Sequence, residues 1–216
     1  MGVYLEDITF SYGEHVILSK VSMQVKKGEN IGIIGESGCG KTTLLKLISG
    51  LYEKQTGILK VAGESEPAEI RKNVAMVMQT GYLFPTSIRD NITCGHQVKE
   101  EKLMEACRAA QLTEWLHSLE DGLDTYVGER GSRVSGGQAQ RIAIARALVK
   151  DASVVLLDEV TSALDETTEG SLMEALNRLI IGKTVIHVSH RKKVLQNCDR
   201  IYKMEAGRIF PVHICD

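Results

Sequence analysis

The sequence opens on short runs in which apolar and polar residues are interspersed: Val3-Tyr4-Leu5-Glu6-Asp7-Ile8-Thr9-Phe10, then residues 19–25, 31–34 and 57–61. Separated by glycines and charged turns, these runs predict strands. Between the last two, Leu44, Leu45, Leu47 and Ile48 predict a helix starting near Gly40. After a further expected strand at 74–78 the period changes, and residues 87–92, 100–110 and 113–119 show helical spacing, so 80–150 reads as a helical insert. Continuous apolar runs return at 153–157 and 184–188, as in strands buried on both faces of a parallel sheet, with a helix expected over 166–180 between them. The pattern predicts one α/β domain over 1–216, in which 1–79 and 151–216 form one lobe and 80–150 a helical lobe. It contains no repeat and no low-complexity segment.

Composition narrows the class. The chain has 216 residues, 43% hydrophobic and 25% charged, which is globular and excludes a disordered tail, a collagen-like fibre or a disulfide-rich miniprotein. With 26 Lys+Arg against 28 Asp+Glu it lacks the basic excess that binding phosphate backbones requires, so no nucleic-acid partner is expected. Cys39, Cys94, Cys107, Cys198 and Cys215 are scattered without a C-x-x-C pair, which fits a reducing compartment. The apolar runs are too short to cross a bilayer, so the isolated chain is expected to be soluble. Patterning starts at Val3 with no leader before it, as in a domain belonging to a longer polypeptide.

Three segments carry chemistry. The run Ile31-Gly32-Ile33-Ile34 leads into Gly35-Glu36-Ser37-Gly38-Cys39-Gly40-Lys41-Thr42-Thr43 and then a helix, a G-x-x-x-x-G-K-T loop in strand-to-helix context. Glycines let successive N–H groups and the helix N-terminus converge on phosphate oxygens, Lys41 adds a positive charge, and the Thr42 hydroxyl can ligate magnesium. Nucleoside triphosphate binding is therefore expected. Second, Val154-Val155-Leu156-Leu157 ends in Asp158-Glu159, two carboxylates at the C-terminal end of a buried strand, where open α/β sheets hold ligands. Asp158 would meet magnesium directly or through a water, and Glu159 could polarise a water for in-line attack on a γ-phosphate. Third, Ser135-Gly136-Gly137-Gln138 precedes a helix expected over 139–149. This is either a plain helix cap or a second anion-binding N-terminus with no lysine of its own.

Phosphate loop, Ser-Gly-Gly-Gln, Asp158-Glu159, Ser162-Ala163-Leu164-Asp165 and a histidine, His190, after a strand follow in an order that resembles the ATP-binding cassette (ABC) ATPases over essentially the whole chain. The resemblance implies a P-loop NTPase core with a mostly parallel sheet, an antiparallel β subdomain and a helical subdomain. It also implies ATP and Mg2+ as ligands. Within it Tyr12 looks like the aromatic stacking on adenine, Ile17 like a neighbouring base contact, Gln79 like the glutamine reaching magnesium and the attacking water, and His190 like the histidine on the γ-phosphate. Ser135, Gly136, Gly137 and Gln138 would reach ATP held by a second nucleotide-binding domain, in a head-to-tail homo- or heterodimer.

Two further segments resemble ABC exporters: Thr125-Tyr126-Val127-Gly128-Glu129-Arg130-Gly131 and Phe84-Pro85-Thr86-Ser87-Ile88-Arg89-Asp90-Asn91-Ile92. They imply a transmembrane-domain partner, fused or separate, and a place at the cytoplasmic face of a membrane. An importer ATPase subunit is the alternative. A soluble, non-transport ABC ATPase fits less well, because neither heptads nor paired cysteines occur between the phosphate loop and Ser135.

Overall fold

The computed structural model describes residues 2–160, 166–189 and 195–212. In chain order its elements are β1 (Val3–Tyr12), β2 (His15–Val25), β3 (Asn30–Ile34), α1 (Lys41–Ile48), β4 (Ile58–Val61), α2 (Pro67–Asn73) and β5 (Val74–Val77). There follow α3 (Ile88–Thr93), α4 (Glu100–Ala109), α5 (Thr113–His117), α6 (Gly136–Lys150), β6 (Val154–Asp158), α7 (Glu166–Ile180), β7 (Thr184–Val188), β8 (Arg200–Glu205) and β9 (Arg208–Val212).

Chain contacts divide these elements into two units. The first comprises residues 1–76, 152–159 and 182–216, the second 77–151 and 160–181. In the first unit an antiparallel sheet of order β2-β1-β4 accompanies a six-stranded sheet of order β5-β6-β7-β3-β8-β9. Period-2 alternation builds the antiparallel sheet: Leu18, Val21, Met23 and Val25 of β2 are buried while the residues between them face outward. By contrast β6 and β7 are buried at every position, as strands covered on both faces must be. One core runs from Leu5, Ile8 and Leu18 through Leu44, Leu45 and Ile48 of α1 to Ile33 and Ile186.

What positions the chemistry is register. β3, β6 and β7 are parallel, with Ile33 opposite Val188 and Asp158 opposite the same Val188. The three strands therefore end level, and the loops after Ile34, Asp158 and Val188 leave from one edge of the sheet. β8 and β9 were not expected from the pattern. Their Ile201, Tyr202 and Met204 face inward, but Arg200, Lys203 and Glu205 stand between them. The expected fold class, α/β with a mostly parallel sheet, an antiparallel sheet and a helical part, is the observed one.

In the second unit α6 is the central element. Ile142, Ala143, Ile144, Ala145, Ala147 and Val149 are buried, and α3, α4 and α7 pack on it. It starts at Gly136, three residues before the pattern suggested. Ser135 Oγ accepts from Gln138 N at 3.3 Å and Gln138 Oε1 accepts from Ser135 N at 2.9 Å, a capping box that offsets the poor helix propensity of two leading glycines. No helix among the described residues is long and apolar enough to cross a membrane.

Candidate functional site

The loop between β3 and α1 closes on itself. Lys41 is 6% exposed, and its Nζ donates to Gly35 O at 2.8 Å and to Glu36 O at 2.7 Å. Two glycines are obligatory here. A Cβ at Gly35 would stand 2.3 Å from Met204 O, and Gly40, the N-cap of α1, sits at φ +107. Glu36, Ser37 and Gly38 are exposed and Cys39 is half-buried. The free N–H groups of the first turn of α1 and the α1 dipole make this end a site for anions.

From α1, Thr42 Oγ1 donates to Asp158 Oδ2 at 2.8 Å. The structure thus joins two residues 116 positions apart that the sequence placed separately beside magnesium. Burial pushes the Asp158 carboxyl above the ordinary carboxylate range, against the pull of the Thr42 hydrogen bond. A buried carboxylate and a hydroxyl side by side form an oxygen donor set, and Mg2+ prefers one or two carboxylates shared with substrate phosphates. The residues present fit that ion.

Glu159 follows Asp158 at φ +49, a left-handed conformation that costs a non-glycine residue on the order of 1 kcal/mol. Its N–H donates to Val188 O at 2.9 Å, which fixes the turn against the end of β7.

Tyr12 is 44% exposed. Its hydroxyl lies 3.4 Å from Thr43 Oγ1, and its ring meets those of Phe10 and Tyr52 edge-on at 5.1 and 5.9 Å. The aromatic is thereby held beside the loop with part of its surface open. Ile17 is half-buried against the core, and its carbonyl would lie 3.2 Å from a Cβ at Gly40.

Gln79 and residues 135–138 fall in the second unit. Gln79 lies after β5, exposed, with its carbonyl accepting from Gln140 Nε2 at 2.7 Å. Ser135 and Gln138 are engaged in their own cap, as the plain helix-cap reading requires, while the space beside Gly136 is open. His190 and Ser162-Ala163-Leu164-Asp165 lie outside the described residues.

The two exporter-like segments form one surface in this unit. Ile88 N donates to Thr125 O at 3.0 Å and Val127 N to Thr86 O at 3.1 Å. Phe84 and Tyr126 on these segments, and Tyr82 just before the first of them, are exposed, with the Arg146 guanidinium 5.7 Å from the Phe84 ring and that of Arg133 5.6 Å from the Tyr126 ring. Beneath them is fully buried Asn91, which accepts from Phe84 N at 2.8 Å and donates to Phe84 O and Ser87 O at 2.9 Å. Arg146 and Gln140 were not singled out in the sequence, and Asn91 entered it only as one letter of the segment from Phe84 to Ile92.

Comparisons with known proteins bear on the family and the fold. A family model described as ABC transporter matches residues 18–162. The ATP-dependent lipid A-core flippase of Francisella tularensis subsp. tularensis is 39% identical over 213 residues, covering 96% of this chain and 35% of the relative. ABC transporter B family member 15 of Arabidopsis thaliana is also 39% identical over 213 residues, covering 94% of this chain and 17% of the relative. Among solved structures, a bacterial Atm1-family ABC exporter with ATP bound matches with a TM-score of 0.86 at 31% identity, over 96% of this chain and 37% of that one. The chain thus spans about a third or less of the length of these relatives.

Proposed function

The chain belongs to the ABC transporter family, and from that premise we propose that it is the ATP-hydrolysing domain of a membrane exporter. Its observed support is the Thr42 Oγ1–Asp158 Oδ2 bond of 2.8 Å, which unites the phosphate loop with the acidic strand end. ATP would lie with its phosphates on the N–H groups of residues 35–43, and Lys41 would exchange its two loop carbonyls for phosphate oxygens. Thr42 and Asp158 would hold Mg2+, with Gln79 as a further ligand. When bound, the ion neutralises charge on the transferring phosphoryl group. Tyr12, with Ile17 beside it, would offer the base a stacking face.

Glu159 accepts a proton from the attacking water as its oxygen bonds to the γ-phosphorus and the bond to the ADP oxygen breaks. Gln79 and His190 take their places at that water and at the γ-phosphate by family resemblance. Ser135, Gly136, Gly137 and Gln138 would contact ATP held by a second domain, so that two ATP molecules join a head-to-tail dimer and hydrolysis releases it. The surface carrying Phe84 and Thr125-Tyr126-Val127 would pass that motion to a transmembrane domain at the cytoplasmic face of a membrane. The flippase and the Atm1-family exporter, both similar along nearly the whole chain, support the export direction.

Glu159→Gln tests the catalytic assignment. ATP affinity should hold while turnover falls by on the order of a hundredfold or more, as when a general base is lost. Fluorescent-nucleotide titration and phosphate release measure the two, and undiminished turnover removes Glu159 from the reaction.

A further inference from the structure

Gln140 belongs to none of the motifs above, yet it is 3% exposed and holds two of them. Its Nε2 donates to Gln79 O at 2.7 Å and to Val160 O at 2.7 Å. Those carbonyls come from the segment after β5 and from the residue that follows Glu159. Both amide protons are spent, and Oε1 is buried with no partner among the described residues. The opposite amide orientation would press that oxygen against two carbonyls, so the partners decide which way the group points.

The cost of a stranded acceptor offsets much of what two donors contribute. An apolar side chain of the same length would relieve that acceptor but leave the Gln79 and Val160 carbonyls without this donor. What the amide supplies is position. A second contact acts in the same place: a Cβ at Gly81 would stand 2.5 Å from Ala139 O, so the backbone after Gln79 runs directly against the turn of α6 that carries Gln140. Arg146, further along α6, continues the attachment to Tyr82 O at 3.2 Å and Asn91 O at 2.7 Å.

We propose that Gln140 is a positioning residue for hydrolysis, its buried amide tying Gln79 and Val160, the residue after Glu159, to the helix capped by Ser135. The inference rests on the hydrolytic reading above and adds to it the side chain that holds Gln79 and the residue after Glu159 on one helix. Glu159 already sits in a strained turn at φ +49, and a turn of that kind persists only where its surroundings over-determine it. Gln140 holds the carbonyl of the very next residue.

The test compares Gln140→Met, which keeps length and removes both donors, with Gln140→Glu, which turns an acceptor toward the two carbonyls. Gln140→Met should leave KM for ATP within about twofold and lower kcat by roughly tenfold or more, since misplacing a reacting group by about an ångström costs up to about a hundredfold. Gln140→Glu should be at least as impaired at about pH 8. Its activity relative to wild type should rise as the pH is lowered toward about 6, because a buried carboxyl that takes up a proton regains one O–H donor. The same ratio for Gln140→Met should stay flat.

A wild-type kcat in Gln140→Met, beside an impaired Glu159→Gln, would overturn the role of Gln140 and leave the hydrolytic reading standing. So would a rise in KM alone, a flat pH ratio for Gln140→Glu, or failure of both variants to fold, which would make Gln140 a core residue only. A wild-type chain that releases no phosphate, or Glu159→Gln at full turnover, would instead remove the reading on which the inference rests.

Discussion

Thr42 Oγ1 and Asp158 Oδ2 meet at 2.8 Å, and the carboxylate in that pair is 5% exposed with its protonated form favoured by burial. A folded-state pKa above the unfolded one means that the native state binds more protons, so this group costs stability once the pH exceeds its unfolded pKa. Asp158→Asn keeps a polar partner for Thr42 and removes the buried charge. Without nucleotide its melting temperature should therefore match or exceed that of the wild type, while phosphate release with ATP and Mg2+ falls by on the order of a hundredfold. Differential scanning fluorimetry and a phosphate assay on one preparation check both, and a variant that is less stable yet fully active contradicts the assignment.

Asn91 makes the next prediction because it is fully buried under a surface loop. Asn91→Ala would strand Phe84 N, whose partner is the side-chain oxygen, while Phe84 O keeps the Thr86 N–H at 2.7 Å and Ser87 O keeps the Asn91 N–H at 3.0 Å. Leaving that donor unpaired should cost about 1–3 kcal/mol, or roughly 2–12 °C in melting temperature for a chain of this length. Nucleotide affinity should not follow, since the phosphate loop belongs to the other unit. Equilibrium urea unfolding gives the first quantity and fluorescent-ATP titration the second.

Legibility in the sequence tracked how local each feature is. The phosphate loop could be read because the glycines, Lys41 and Thr42 act within one turn of backbone. β6 and β7 could be read because burial on both faces leaves unbroken apolar runs. β8 escaped: its order depends on parallel pairing with β3, from Ile31 opposite Arg200 to Ile34 opposite Lys203, and three charged residues hide the alternation. The seven residues of α2 are too few to show a helical period, although Pro67 at its first position marks the start. At the site, the sequence named Thr42 and Asp158 but not their bond. Nothing in it could single out Gln140, whose significance lies in two carbonyls contributed by distant segments.

His187 is a buried side chain in the middle of the six-stranded sheet, level with Gly32 of β3 and Leu157 of β6. Burial holds its pKa down at about 4, and Nε2 has no partner among the described residues. Below an unfolded pKa of about 6.5 the unfolded chain takes up a proton that the folded chain refuses, so this contribution is present above about pH 6.5 and lost as the pH falls toward 4. Urea unfolding at about pH 7 and about pH 5 should show wild type losing about 2 kcal/mol more than His187→Leu. Equal losses would mean that the histidine is charged in the fold or reached by water.

The capping box at Ser135 sharpens the last prediction, because it shows a complete structural role within one chain. If capping is all that Ser135 does, Ser135→Arg should cost about 1 kcal/mol and leave hydrolysis in proportion to folded protein. If Ser135, Gly136 and Gly137 also meet ATP held by Lys41 of a second copy, each copy carries half of each site. Mixing Ser135→Arg chains with Lys41→Ala chains then places both lesions in one composite site and leaves the other intact. The mixture should recover part of the activity that each variant lacks alone, and its rate should rise faster than linearly with protein concentration at low concentration. Open space beside Gly136 makes room for such a contact, and the first N–H groups of α6 remain available to an anion because the cap uses only that of Gln138. Folded chains that associate with ATP yet fail to complement would return Ser135 to its capping role alone.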